Sequence, residues 1–174
     1  MAMRIRYIVL DGEIISETRN GVERDYGSDP QGNVIAMYDS SQNKTDTWTY
    51  WPYGEVKTRT GTTPTPFQYI GTRGYYQDSS TKSYVRARYL DVQKGRWMTA
   101  DPIGFAGGSW NLYGYVGGNP VTGVDPSGYI AVGGCTRNDG DQLRDIMRQL
   151  CQRFQRADNN GTWPIVEKCV NEQC

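Results

Sequence analysis

The sequence predicts a mainly β-protein of antiparallel hairpins that ends in a small α-helical hairpin. Aromatic residues are abundant, with 13 Tyr, 5 Trp and 3 Phe among 174 residues, and such side chains favour strands. Glycine and proline, 21 and 8 in number, interrupt the chain at short intervals and are typical of turns. Polar and apolar residues alternate in short segments, as they do in half-buried strands.

One type of turn recurs in the first part of the chain. Gly, a polar residue and a β-branched residue follow one another at 12–14, 32–34 and 54–56. These turns begin 20 residues apart (12 to 32) and 22 residues apart (32 to 54). A repeat of this length with one turn per unit predicts stacked β-hairpins, whereas unrelated glycine turns are the alternative.

Two segments show the alternation of single strands. Hydroxyl and aromatic side chains swap sides along 47–51, which predicts a strand with one polar and one aromatic face. The same reasoning predicts one strand over 84–89 that carries Arg86 and Arg88 on a shared face. We expect that face to be solvated; the alternative is that these arginines pair with carboxylates in a polar cleft.

Charge and composition exclude several function classes. Lys+Arg and Asp+Glu are both 19, so neither nucleic acid nor an anionic membrane is indicated as a partner. The absence of histidine excludes Ser-His-Asp and Cys-His catalysis and imidazole metal sites within this chain. We therefore expect no metal and no cofactor. The longest apolar run near the start, 7–10, is too short for a signal-peptide core or a membrane span.

From Gln68 onward the sequence carries a series of ordered motifs. They are Tyr-Val-Arg-Ala-Arg-Tyr at 84–89, Lys-Gly-Arg-Trp at 94–97, Asp-Pro-Ile-Gly-Phe at 101–105, Asn-Leu-Tyr-Gly-Tyr at 111–115 and Asp-Pro-Ser-Gly at 125–128. Their order and spacing resemble the RHS repeat-associated core, and the upstream glycine turns resemble the YD repeats that precede this core. The resemblance covers about 5–129. It divides the chain into YD-type hairpin repeats at 1–66, the RHS core at 67–129 and a tail at 130–174.

The resemblance implies a self-cleavage site. It assigns the aspartates of the two Asp-Pro-x-Gly motifs, Asp101 and Asp125, to an aspartic-protease-like pair that cuts after Tyr129. Two carboxylates held close cannot both ionise easily, so one would act as the acid while the other activates water. The residues that could orient the pair or stabilise the oxyanion are Arg86, Arg88 and Arg96.

Two observations weaken that assignment. Asp-Pro-x-Gly is also a good β-turn sequence, because Asp caps the turn, Pro fixes φ and Gly suits the last position. In addition, Tyr129 stands where the family usually has leucine.

The tail predicts two short helices stabilised by disulfides. Its first helix carries an apolar stripe formed by Leu143, Ile146, Met147, Leu150, Cys151 and Phe154. All the cysteines of the chain lie in the tail, at Cys135, Cys151, Cys169 and Cys174. Because so small a segment buries little surface, we expect two disulfides and hence an extracellular or cell-surface location. Reduced core thiols are the alternative.

These observations lead to three functional hypotheses. The first is a structural subunit of an extracellular fibre, tube or shell that stays intact and assembles with copies of itself through β-edges, with the tail as a docking element. Its exposed start would be the apolar first strand with Ile5, Tyr7 and Val9. The alternative is the C-terminal cassette of a polymorphic-toxin-like RHS protein, whose only enzymatic activity is aspartyl self-cleavage in cis. The third is a carbohydrate-binding surface of Tyr and Trp side chains.

Overall fold

The computed structural model describes residues 4–133. The chain divides into two compact units, the first ending at Ala131 and the second beginning at Val132. The predicted tail helices and all four cysteines lie outside the described residues.

The first part of the chain forms a six-stranded antiparallel sheet in which the strands lie in sequence order. Its strands are β1 (Ile5–Leu10), β2 (Glu13–Arg19), β3 (Val22–Ser28), β4 (Val34–Tyr38), β5 (Lys44–Tyr50) and β6 (Val56–Thr60). Each strand pairs with the next, so the strands make up three hairpins joined edge to edge. The predicted hairpin sheet is confirmed.

The repeated glycines all take a left-handed conformation, and two of their three turns share one hydrogen-bond pattern. Gly12, Gly32 and Gly54 have φ of 80°, 94° and 97°, which glycine adopts without a steric penalty. In the turns 29–33 and 51–55, the first amide donates to the fifth carbonyl and the fourth amide donates to the first carbonyl, at 2.8–3.0 Å. The signature at 32–34 and 54–56 therefore corresponds to one hydrogen-bonded turn. The turn at Gly12 differs, because it is a two-residue hairpin turn between Leu10 and Glu13 in which Asp11 is also left-handed, with φ 50°.

The core of this sheet lies on one face. Val34, Met37 and Trp48 are almost fully buried there. On the other face, the hydroxyl of Thr47 pairs with that of Thr60 at 2.7 Å. The predicted alternation along β5 is thus confirmed, because aromatic and hydroxyl side chains point to opposite faces.

The segment 61–75 connects the first sheet to the rest of the chain. The carbonyl of Gln68 accepts the amide of Val34 at 2.9 Å, and the side chain of Asn33 accepts the amide of Ile70 at 2.9 Å. Ile70 is fully buried. A 3-10 helix at Gly71–Arg73 then leads into the second sheet.

The second sheet has four antiparallel strands in the order β10-β9-β8-β7. These are β7 (Tyr76–Ser79), β8 (Lys82–Val85), β9 (Arg88–Asp91) and β10 (Arg96–Trp97). The predicted single strand over 84–89 is wrong, because the chain reverses at Arg86 and Ala87 and Val85 pairs with Arg88. Arg86 takes a left-handed conformation with φ 46°, which ends β8 and starts a tight hairpin.

Irregular structure dominates after β10 and carries both Asp-Pro-x-Gly motifs. It contains 3-10 helices at Gly104–Gly107 and Val116–Gly118 and the short strand β11 (Gly123–Val124). Strand β12 (Val132–Gly133) belongs to the second unit. Within residues 4–133, no helix has the length and apolar character needed to cross a membrane.

Candidate functional site

Arg88 lies between the two aspartates of the Asp-Pro-x-Gly motifs. Its Nη1 is 2.9 Å from Oδ2 of Asp101, and its Nη2 is 3.2 Å from Oδ2 of Asp125. Its Nε donates to the carbonyl oxygen of Gly128 at 2.5 Å. One guanidinium thus holds both carboxylates and the backbone of the second motif, a task suited to its rigid fork of donors.

The hairpin reversal explains why Arg88 reaches this place. Because β9 begins at Arg88, its side chain turns inward and is 4% exposed. The expected solvated arginine face is therefore wrong for Arg88, and the alternative of carboxylate pairing in a polar cleft describes it. A buried guanidinium requires such partners, since an unpaired buried charge is very costly.

Both Asp-Pro-x-Gly motifs form turns. The amide of Gly104 donates to the carbonyl of Asp101 at 2.9 Å, and the amide of Gly128 donates to the carbonyl of Asp125 at 3.2 Å. The turn interpretation is thus correct for the backbone, while the side chains of the two aspartates also converge on Arg88. Gly128 has φ 73°, and a Cβ placed on it would collide with the carbonyl oxygen of Val85.

The carboxylate of Asp125 contacts the backbone on both sides of the bond predicted to be cut. Its Oδ1 accepts the Ser127 hydroxyl at 2.9 Å and the amides of Gly128, Tyr129 and Ile130 at 2.9, 3.2 and 3.1 Å. The nitrogen of Ile130 is the leaving atom of the Tyr129–Ile130 bond. Asp125 therefore lies within hydrogen-bond distance of the group that an acid would have to protonate.

Burial raises the pKa of Asp125 above its ordinary value, although the Ser127 hydroxyl and the Arg88 charge act in the opposite direction. This cause differs from the expected one, which was repulsion between two neighbouring carboxylates. Here the cation of Arg88 stands between Asp101 and Asp125, and removal from water favours the neutral acid.

A pair of buried tyrosines contacts the backbone of Asp125. The amide of Asp125 donates to the hydroxyl of Tyr75 at 2.9 Å, and that hydroxyl lies 3.0 Å from the hydroxyl of Tyr115. Burial raises the pKa of both tyrosines above the ordinary value, so they remain neutral. The sequence analysis did not predict this role, although Tyr115 ends the Asn-Leu-Tyr-Gly-Tyr motif at 111–115.

A cavity of about 210 Å³ adjoins these groups and has room for several water molecules. Asp101, Asp125 and Tyr129 line it, together with the glycine-rich segment 104–117. Water in this cavity would therefore lie beside Tyr129 and the two aspartates.

The remaining candidate residues lie elsewhere. The guanidinium of Arg86 donates to the carbonyl oxygens of Pro126 and Arg73, and does not contact either aspartate. Arg96 is exposed on β10, where its backbone pairs with Asp91. Cys135, Cys151, Cys169 and Cys174 lie outside the described residues. Among residues 4–133, no group of three or more His, Cys, Asp or Glu side chains is arranged to hold a metal ion.

Comparison with known sequences gives clear relatives, although no protein-family model matches the chain. The chain is 30% identical over 122 residues to the tRNA3(Ser)-specific nuclease WapA of Bacillus spizizenii, which covers 68% of this chain and 5% of WapA. It is 40% identical over 88 residues to RhsB of Dickeya dadantii, which is named a probable deoxyribonuclease, and the match covers 50% of this chain and 6% of RhsB. The chain thus spans a small part of each relative.

Comparison with solved structures supports the same fold. The TcdB2-TccC3-Cdc42 crystal structure matches 80% of this chain and 7% of the solved chain, with a TM-score of 0.65 and 23% identity. Three findings therefore point to the same family: the hairpin sheet, the converging Asp-Pro-x-Gly turns and the sequence relatives. The chain belongs to the RHS/YD-repeat family and carries that family's C-terminal RHS repeat-associated core.

Proposed function

We propose that this chain is the C-terminal cassette of an RHS protein that cuts itself after Tyr129 and separates the polypeptide beginning at Ile130. The observation that carries the proposal is the 3.1 Å contact between the Ile130 amide and Asp125, whose carboxylate shares Arg88 with Asp101.

The reaction is a hydrolysis of the Tyr129–Ile130 peptide bond. A water molecule adds its oxygen to the carbonyl carbon of Tyr129 and gives a proton to the carboxylate of Asp101. The acid form of Asp125 gives its proton to the nitrogen of Ile130 as the carbon–nitrogen bond breaks. The products are a carboxyl group at Tyr129 and an amine at Ile130, and the protons then re-equilibrate with solvent.

The burial of the two aspartates suits these different roles. The carboxyl of Asp125 is 2% exposed, and its raised pKa favours the acid that protonates the leaving nitrogen. The carboxyl of Asp101 is 12% exposed and lines the 210 Å³ cavity, where a base has access to water. Arg88 binds both carboxyl groups and fixes their relative position, so it acts as the orienting residue of the pair.

The relatives favour this cassette over the fibre hypothesis. WapA is named a tRNA-specific nuclease and RhsB a probable deoxyribonuclease, and the matching crystal structure is that of TcdB2-TccC3-Cdc42. We therefore assign the residues after Tyr129 to the part that is released from a toxin-like parent, outside the producing cell or at its surface. No observation in residues 4–133 specifically favours glycan binding.

The test is intact-mass analysis of the purified chain under denaturing and reducing conditions. We expect two products, one ending at Tyr129 and one starting at Ile130. Asp125→Asn and Asp101→Asn should each give the uncut chain, because each removes the acid or the base while keeping the side-chain size.

Asp39→Asn is the matched control, since Asp39 is a half-exposed turn residue that also accepts backbone amides. This variant should be cut like the unmodified chain. A single mass of the full chain for the folded, unmodified protein would contradict the proposed function.

A further inference from the structure

We propose that Ser127 is a positioning residue of the self-cleavage, because its hydroxyl holds the Tyr129–Ile130 amide against the carboxyl of Asp125. This inference rests on the proposed function and adds a residue that the family motif does not specify, since Ser127 occupies the variable third position of Asp-Pro-x-Gly.

The hydroxyl of Ser127 uses its full hydrogen-bonding capacity at the site. It donates to Oδ1 of Asp125 at 2.9 Å. It accepts the amide of Tyr129 at 3.0 Å and the amide of Ile130 at 3.3 Å. A hydroxyl has one donor and two lone pairs, so all three positions are engaged with the acid and the two amides around the scissile bond.

The first Asp-Pro-x-Gly motif provides an internal comparison. Its third position is Ile103, whose amide donates to Oδ1 of Asp101 at 3.0 Å, and Gly104 closes the turn. The turn thus forms without a hydroxyl at this position. Ser127 is therefore not required for the turn itself, and its contacts serve the segment that follows.

These contacts have two consequences for the reaction. The Ile130 amide is shared between Asp125 at 3.1 Å and Ser127 at 3.3 Å, which fixes the leaving nitrogen beside the acid. The bond from the hydroxyl to Oδ1 also favours the ionised carboxylate and so opposes the effect of burial. Without the hydroxyl, Asp125 should hold its proton to higher pH, while the amide is held less firmly.

The test follows cleavage over time after refolding the intact, denatured chain at a series of pH values. Ser127→Ala should slow cleavage about tenfold, the rate equivalent of one lost hydrogen bond. The alkaline limb of its rate–pH profile should move to higher pH. Ser127→Thr, which keeps the hydroxyl, should cut at the rate of the unmodified chain and with the alkaline limb at the same pH. Ser41→Ala is the matched control, because Ser41 is likewise two residues after a turn aspartate, Asp39, but is exposed.

A second measurement keeps this inference separate from the proposed function. In the uncut Asp101→Asn chain, Ser127→Ala should accelerate hydrogen exchange of the Tyr129 and Ile130 amides, and Ser41→Ala should not. Unchanged exchange at both amides would overturn the role of Ser127 whether or not the unmodified chain cuts itself. Cleavage by the unmodified chain with an unchanged rate and profile in Ser127→Ala would overturn it as well.

Discussion

The guanidinium carbon of Arg88 lies 4.3 Å from the ring centroid of Trp97. Trp97 is 1% exposed and packs edge-on against Tyr115 at a centroid distance of 5.2 Å. The guanidinium thus lies over the Trp97 ring while its Nη1 and Nη2 atoms contact the two aspartates. A buried cation on an aromatic face is stabilised by about 2 kcal/mol, so Trp97 helps to hold Arg88 in the site.

Arg88→Lys should abolish self-cleavage, because a single ammonium cannot pair with both carboxylates. In the uncut Asp101→Asn chain it should lower the free energy of unfolding by about 3 kcal/mol, because the ammonium cannot keep the contacts of Arg88 with both buried Asp125 and the carbonyl of Gly128. Mass analysis measures the cut, and chemical denaturation of the Asp101→Asn chain with and without the change measures stability. Arg6→Lys, on the exposed side of β1, should change stability by less than about 0.5 kcal/mol and leave the cut intact. Normal cleavage in Arg88→Lys would remove the orienting role of this residue.

Gly128→Ala should prevent the second Asp-Pro-x-Gly turn from closing, because the new methyl group meets the carbonyl oxygen of Val85. Gly21→Ala is the matched control, since Gly21 has a similar φ of 84° and no atom within 4 Å of a built Cβ. Both variants carry the penalty of about 1–2 kcal/mol for a non-glycine residue in the left-handed conformation. Gly128→Ala should lower the thermal unfolding temperature more than Gly21→Ala does, and only Gly128→Ala should abolish self-cleavage. Equal losses in the two variants would show that the close packing of the turn is unimportant.

The rate of self-cleavage should fall as the pH rises through the raised pKa of Asp125, because the leaving nitrogen then lacks its acid. Time courses of refolding chain at fixed pH values measure this limb. A rate that increases steadily toward alkaline pH would exclude Asp125 as the acid.

The same shift has a consequence for stability with a definite sign. Since the folded pKa of Asp125 is raised, its contribution to stability is fully present below the ordinary carboxyl pKa and is lost as the pH rises through the folded value. In the uncut Asp101→Asn chain, adding Asp125→Asn should remove that loss. Denaturant midpoints at a series of pH values measure the loss of stability. The same pH dependence with and without Asp125→Asn would contradict the raised pKa of Asp125.

The edge strand β1 should promote association of the isolated chain. Ile8, Val9 and Leu10 are 48%, 57% and 59% exposed, and the outer edge of β1 has no strand beside it within the described residues. Val9→Lys should suppress concentration-dependent association, because a charged edge disfavours strand pairing. Val22→Lys is the control, since Val22 is also exposed but lies on β3, which is paired on both sides. Sedimentation across a concentration series measures the association. Equal effects of the two lysines would show that the chain does not associate through the edge of β1.

Sequence alone predicted the hairpin sheet because its signals are local. The glycines at 12, 32 and 54 mark turns through a backbone preference, and the alternation along β5 follows from strand geometry. The reversal at Arg86 gave no such signal, because arginine rarely adopts a left-handed conformation. In addition, the residues around it alternate in polarity as they would in a continuous strand. The strand over 84–89 was therefore predicted wrongly.

The site could be predicted only in part for a related reason. The motif resemblance placed Asp101, Asp125 and Tyr129 together, and the structure adds that Arg88 joins the two aspartates. Composition favoured an exposed Arg88, because the two partners that make its burial possible lie far along the chain. The role of Ser127 had no sequence signal, since it depends on hydrogen bonds that only the folded turn reveals.

The long reach of these contacts also determines when the cut can happen. Arg88 meets Asp125 across 37 positions, and Asp125 is tied to Tyr75 across 50. A ribosome delivers the chain from its N-terminus, so the charged cluster is complete only after the last of its parts has emerged and the tyrosines are packed. Self-cleavage would then act as a check on maturation. A copy that misfolds upstream would keep its C-terminal polypeptide attached, and only correctly folded copies would release it.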